Sequence, residues 1–245
     1  MILEHFTMKD SFGRNIDYMR ISITDRCNLR CRYCMPDGVE CLARREILSL
    51  EEIEAIAICA AGLGISRIKV TGGEPLVRRD CCQLVKLLKS IPGIEKVTIT
   101  TNGVLLDRYL EPLLEAGIDG INISLDTLDP CMYEKITGFD RLACVMKTIE
   151  RSPGLPVRVK INAVSIDFSS MDGEGCSGPG GSWWKELVEL TGRYPVDVRF
   201  IEMMPIGYGK QFKTINHKEL LEEMHREYPG LAKDHTEHGY GPAVY

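Results

Sequence analysis

At 245 residues, 44% of them hydrophobic, the chain is long enough to bury one large α/β core as a single domain. Its net charge of −5 excludes a global basic field of the kind that recruits nucleic acid or an anionic membrane. No apolar run approaches the ~18 residues of a spanning helix. Met1 to Arg14 lacks the apolar stretch and cleavage site of a signal peptide, so the chain reads as cytoplasmic.

Strand-like and helix-like runs alternate along the sequence, the signature of repeated βα units around a parallel sheet. The first strand, near 18–24, leads into Cys27-Asn28-Leu29-Arg30-Cys31-Arg32-Tyr33-Cys34. Ser49, with Glu52 three residues on, starts a helix carrying Ile53, Ile56 and Ala60. A strand near 67–71 precedes a helix behind Asp80 bearing Leu84, Leu87 and Leu88. Strands follow near 96–100 and 119–125. Asp129-Pro130 then reads as a cap and first-turn proline, and Asp140 as the cap of a further helix with Leu142, Val145, Met146 and Ile149. The last strands lie near 157–163 and 196–202, separated by a Gly/Ser-rich loop at 165–182 that contains Cys176 and is followed by two tryptophans. Six such units make an α/β fold, a partial (βα)6 TIM-type barrel.

Strand side chains alternate between faces, and here the alternation is informative. Met19, Ile21 and Ile23 oppose Arg20, Ser22 and Thr24; Ile68 and Val70 oppose Lys69 and Thr71; Val159 and Ile161 oppose Arg158, Lys160 and Asn162. An ordinary barrel fills its interior with Val, Ile and Leu, and parallel strands usually read as continuous apolar runs. A sheet with one solvated face is the plain alternative. The account preferred here has helices covering the apolar face and a polar lumen holding a large ligand. Arg20, Lys69, Lys160 and Arg199 converge from four strands, and burying them together without an anion is unfavourable. The expected ligand is a polyanion, a phosphate ester or nucleotide.

Three cysteines spaced three and then two residues apart are one short of the four ligands of a structural zinc or closed iron–sulfur site. A cubane on Cys27, Cys31 and Cys34 would keep one iron open for a non-protein ligand. Zinc, with a fourth ligand from Cys41 or a distant histidine, is the alternative, although Thr24-Asp25-Arg26 and Tyr33 do not look like a zinc ribbon. The remaining cysteines lack ligand-like spacing, several of them sit in apolar helical patterns where a reduced cysteine behaves as a small hydrophobe, and no disulfide framework is expected. Thr71-Gly72-Gly73-Glu74-Pro75 ends the second strand; its glycines allow close backbone approach and its free amides and carbonyls suit the termini of an amino acid. Thr100-Thr101-Asn102-Gly103, Asn122-Ile123-Ser124-Leu125-Asp126 and Met203-Met204-Pro205 end later strands at the same side of the barrel.

In this order, these motifs resemble the radical S-adenosylmethionine (SAM) superfamily and, more closely, its GTP 3',8-cyclase family of molybdenum cofactor biosynthesis. The similarity runs from Gly13-Arg14 through the cysteine loop and Met35-Pro36 to Arg199-Phe200-Ile201-Glu202-Met203-Met204. It implies a 4Fe-4S cluster on Cys27, Cys31 and Cys34 whose open iron chelates S-adenosyl-L-methionine. Tyr33, Gly73, Ser124 and Met204 would contact SAM, with Glu74 near its amino group. Arg20, Lys69, Thr100, Lys160 and Arg199 would contact GTP. The implied reaction forms (8S)-3',8-cyclo-7,8-dihydroguanosine 5'-triphosphate, through a 5'-deoxyadenosyl radical that abstracts hydrogen from ribose C3'.

The resemblance also implies partners: a low-potential electron donor such as flavodoxin or ferredoxin, the next enzyme of pyranopterin synthesis, and a second copy in a homodimer. Family members usually carry arginine at the position of Lys69, which replaces a bidentate fork with a point charge. They continue into a segment with a second three-cysteine cluster. The sequence given ends at Tyr245 without that trio, so residues 205–245 are expected to begin a C-terminal extension that is cut short. The rival functions are another radical SAM reaction, such as peptide modification, and a non-catalytic GTP- or SAM-binding remnant.

Overall fold

The computed structural model describes residues 8–40, 42–167 and 183–233. Within them β1 (Tyr18–Ser22), β2 (Arg67–Thr71), β3 (Lys96–Thr101), β4 (Gly120–Ser124), β5 (Arg158–Ser165) and β6 (Val196–Glu202) alternate with helices. The helices are α1 (Leu50–Gly62), α2 (Cys81–Ser90), α3 (Leu106–Glu115), α4 (Pro130–Thr137), α5 (Leu142–Arg151), α6 (Trp183–Arg193) and α7 (His217–Glu227). All strands are parallel, in spatial order β1-β2-β3-β4-β5-β6. Among the described residues β1 bonds β2 and β6 bonds β5, with no pairing between the two ends. The result is the expected open, partial barrel.

The apolar strand positions face the helices. Ile68, Val97, Ile121 and Val159 are at most 1% exposed and pack with Leu84, Leu110 and Ile149. Each such side chain removed from water contributes roughly 1.5–3 kcal/mol, which fixes the parity of every strand. A slip of one residue would turn the lumen cations into that core.

Two of the expected caps form. Ser49 and Glu52 make a reciprocal capping box at α1, with Ser49 N–H donating to Glu52 at 2.8 Å and Glu52 N–H to Ser49 Oγ at 3.2 Å. Asp129 accepts from Met132 N–H at 2.7 Å at the start of α4. Asp140 does not cap α5: Arg141 holds that position without a side-chain bond, because the helix begins one residue later, after the left-handed Gly138 that ends α4. Asp80 precedes α2 but gives its carboxylate to Arg78, whose guanidinium also donates to the carbonyls of Ile23 and Leu48.

The paired tryptophans are packing residues. Trp183 meets Phe200 of β6 edge-on at 5.5 Å, and Trp184 meets Tyr228 at 6.0 Å and donates to Glu223 of α7 at 3.4 Å. They fasten α6 and α7 onto β6. Ser165 ends β5, so the expected 165–182 loop begins later than read, and from 168 on it lies outside the described residues, as does Cys176. The cysteine thiols from Cys27 to Cys144 that are described are free, except Cys131, which is disulfide-bonded against expectation. No described helix is long and apolar enough to cross a membrane.

Candidate active site

The C-terminal ends of the strands and the loops that follow them enclose a cavity of about 1340 Å³. The cysteine loop, the Gly-Gly-Glu-Pro turn, Thr100 to Asn102, Ser124 and Arg199 all reach it. A space of this size takes a nucleotide-sized ligand and a second group together.

The loop from Cys27 to Cys34 is held from three sides. Leu29 is its apolar anchor, 3% exposed. The amides of Arg30 and Arg32 donate to the Thr137 and Ile136 carbonyls at the end of α4. Tyr33 Oη donates to Asp126 at 2.7 Å, and the other Asp126 oxygen accepts from Val164 N–H at 2.8 Å, so the loop is tied to β4 and β5 together. Burial pushes the Asp126 carboxyl up to about 6, while the Tyr33 and Val164 bonds oppose that rise.

Burial raises the Cys27, Cys31 and Cys34 thiols, and neighbouring negative charge raises them further. Asp126, Cys27 and Cys34 act on Cys31, and Cys27 acts on Cys34. Three such thiols ionise together only against strong positive charge, which is what metal atoms supply. Yet among the described residues no group of three or more Cys, His, Asp or Glu side chains is placed to hold a single metal ion. The proposed fourth zinc ligand Cys41 lies outside the described residues.

The Gly-Gly-Glu-Pro turn is built differently from the sequence reading. Gly73 N–H donates to the Thr24 carbonyl and Glu74 N–H to that of Arg26, both at 2.7 Å. A side chain on Gly73 would strike the Asp25 carbonyl at 2.6 Å, so the glycine permits the two loops to touch. These amides are used within the fold, and what the turn offers a ligand is carbonyl oxygen, suited to an ammonium group. The Glu74 carboxylate, 1% exposed, accepts from Leu76 N–H, Thr101 Oγ1 and Asn102 N–H at 3.0, 2.7 and 2.6 Å. It clamps two loops from the cavity wall, with both of its oxygens engaged within the fold.

Below these loops the lumen is cationic. Lys69 is 8% exposed; burial, then the charges of Arg20, Arg199 and Lys160, push its ammonium down to about 8. The four cations are therefore one electrostatic group. They are not wholly without counter-charge: Asp197 of β6 lies 3.4 Å from Lys160 and 3.7 Å from Arg158. Two buried polar atoms of residues lining the same lumen, Tyr18 Oη and Asn162 Oδ1, have no hydrogen-bond partner among the described residues. A polar ligand would satisfy both, which is the fit expected for a nucleotide site.

Most of the expected site residues meet at this cavity. Lys160 instead lines a small adjoining space with Lys69 and Arg199. Met204 is the departure: 65% exposed, it does not line the cavity, while Met203 beside it is buried in the core. Tyr18 also lines the cavity and was not named from the sequence, although it shares the strand face of Arg20 and parity carried the signal. The wall built by His217, Lys218 and His225 of α7 and by Lys233 was missed, although Asn216 carried a cap signal for that helix and accepts from Lys218 N–H at 2.9 Å.

A sequence profile of the Radical SAM superfamily matches residues 21–172. The GTP 3',8-cyclase of Clostridium perfringens (strain SM101 / Type A) is 41% identical over 97% of this chain and 71% of its own length. Molybdenum cofactor biosynthesis protein 1 of Drosophila melanogaster is 42% identical over 91% of this chain and 38% of its own. Among solved structures, Streptococcus suis SuiB bound to S-adenosylmethionine superposes with a TM-score of 0.68 at 23% identity, over 87% of this chain and 48% of that one. At that identity the likeness concerns the fold alone.

Proposed function

The chain belongs to the GTP 3',8-cyclase family of the radical SAM superfamily, and from that premise we propose that it rearranges GTP to (8S)-3',8-cyclo-7,8-dihydroguanosine 5'-triphosphate in molybdenum cofactor biosynthesis. The observation that carries this reading is the cation group of Arg20, Lys69 and Arg199 in the cavity that the three-cysteine loop also lines, with Lys160 beside them in the adjoining space. A radical enzyme acting on an uncharged or peptidic substrate has no use for that group. A triphosphate does.

Cys27, Cys31 and Cys34 would hold a 4Fe-4S cluster, with SAM on its open iron. Together, when bound, they supply the one-electron chemistry that makes a carbon-centred radical. The protein's own part is placement. The cations and Thr100 would fix the triphosphate, while Tyr18 and Asn162 would bond its sugar or base. Ser124 and the carbonyls of the Gly72-Gly73 turn would orient the methionine end of SAM, and Tyr33 would hold the loop through Asp126. The cavity walls would shield the bound ribose from solvent on the sides they cover. A flavodoxin- or ferredoxin-like donor would deliver the electron, and the product would pass to an enzyme that consumes the cyclic triphosphate.

Anaerobic reconstitution with iron and sulfide, then reduction with SAM, should give cubane absorbance and 5'-deoxyadenosine. GTP should accelerate that cleavage and be consumed with it. Cys31→Ala should abolish both signals. If that variant reconstitutes equally well, the cluster assignment fails. If GTP binds but no 5'-deoxyadenosine forms, the chain is a binding remnant.

A further inference from the structure

The Asn102 side chain is oriented by bonds that have no evident purpose in packing. Its Oδ1 accepts from Val104 N–H at 3.1 Å, which fixes which end of the amide is which. Nδ2 must then face the cysteine loop, where it donates to Asn28 Oδ1 at 2.8 Å and to Cys27 Sγ at 3.8 Å, a separation that the large sulfur radius allows. The Asn102 backbone is held as firmly. Its N–H donates to Glu74 Oε2 at 2.6 Å, and Glu74 Oε1 accepts from Thr101 on the same turn. Gly103 completes the turn at φ +81°, with Val145 and Ile123 side chains only 2.9 and 3.0 Å from where a Cβ would stand. The turn, the clamp and the amide cap together aim one N–H bond at one cysteine. Leu29 N–H reaches the same sulfur at 3.4 Å.

We propose that Asn102 is a positioning residue that donates a hydrogen bond to the Cys27 thiolate and thereby raises the reduction potential of the cluster bound there. The inference rests on the cluster assignment above. Its physical basis is general: reducing an iron–sulfur cluster adds negative charge that spreads onto the ligand sulfurs, and an N–H directed at one of them stabilises the reduced form more than the oxidised. Glu74 acts one step further back, by fixing the Asn102 backbone. This accounts for a carboxylate buried at the cavity wall with both oxygens engaged inside the fold.

The test uses the whole chain, reconstituted anaerobically, with the cluster's midpoint read by electron paramagnetic resonance during a dithionite titration without SAM. Asn102→Leu keeps the size and removes the donor; Asn102→Asp keeps the Val104 cap, removes the donor and adds charge. With iron content and melting temperature matching the parent, both midpoints should move to more negative potential. The reduction equilibrium should fall about tenfold in Asn102→Leu, the order expected for losing one bond to a charged group, or about 59 mV for a one-electron couple. A purely structural residue would leave the midpoint where it was. An unchanged midpoint in Asn102→Leu, or a shift confined to Asn102→Asp, overturns the inference. So does failure of both variants to load iron while they melt like the parent, since Asn102 would then be holding the loop and not tuning the cluster. A parent chain that binds no cluster overturns the inference and the cluster assignment together, whereas a loaded parent with unmoved variants overturns the inference alone.

Discussion

Lys69 sits where a lysine and an arginine differ most. Burial and three neighbouring cations bring its ammonium down to about 8 from an ordinary 10.5. The unfolded chain binds the proton more tightly, so between pH 8 and 10.5 the unfolded state carries more protons and stability rises with pH. Below about 8 both states are charged and the cost of burying the ammonium, with the smaller cost of crowding it against three cations, is fully present, together a handicap on the order of 3 kcal/mol for the ligand-free protein. A triphosphate in the lumen reverses the balance by restoring the charge. At pH 9 binding of GTP should therefore take up close to one proton, and near pH 7 Lys69 should contribute none. Calorimetry in two buffers of different ionisation heat measures that number. Lys69→Met and Lys69→Arg should both lose the uptake at pH 9, and Lys69→Arg should still bind. Equal uptake in parent and Lys69→Arg would show that another group titrates. Residue identity made this much legible, since Lys69 and its partners were marked by strand parity. Asp197 was not, because a carboxylate between Val196 and Val198 reads as an ordinary strand residue until β6 is laid beside Lys160.

The strands were readable almost to the residue, because each alternates between an apolar face against helices and a polar face in the lumen. Helices were legible in proportion to their polar start signals. Ser49 and Asp129 form the bonds their spacing implies. In contrast, α3 starts behind Leu105 with no side-chain cap and contains Pro112, so nothing local announced it. The start of α6 follows undescribed residues, and its evident signal, two adjacent tryptophans, gains meaning only from contact with β6 and α7. Trp184 is the joint between those elements, 2% exposed against Tyr228 and Glu223. Trp184→Ala should cost about 3–5 kcal/mol through the void it leaves. Because α7 supplies one wall of the cavity, GTP affinity should fall as well, while Trp184→Phe should recover most of both. Thermal melts with and without GTP separate the effects. A variant that loses stability but binds GTP like the parent would show that α7 does not hold the nucleotide.

For the molecule as a whole, charge is segregated: the chain is net negative at −5 while its lumen gathers Arg20, Lys69, Lys160 and Arg199. Composition alone argues against an anionic ligand, and only the curling of six parallel strands around one polar face brings the cations within reach of one another. Such an arrangement stores repulsion that a small polyanion can release without any recognition of a base. Inorganic tripolyphosphate should therefore stabilise the protein, and guanosine alone should not. At a hundredfold excess over its dissociation constant, a ligand specific for the folded state adds about 2.7 kcal/mol. At roughly 2–4 °C per kcal/mol for a chain of this size, the melt should shift upward by about 5–10 °C. The ligand-free Lys69→Met protein should melt above the parent near pH 7, where the repulsion is complete, and respond less to tripolyphosphate. The shift should shrink with added salt to the extent that the lumen is open to ions. If guanosine stabilises as strongly as tripolyphosphate, the lumen is organised around the base, and the cations serve the fold or another ligand.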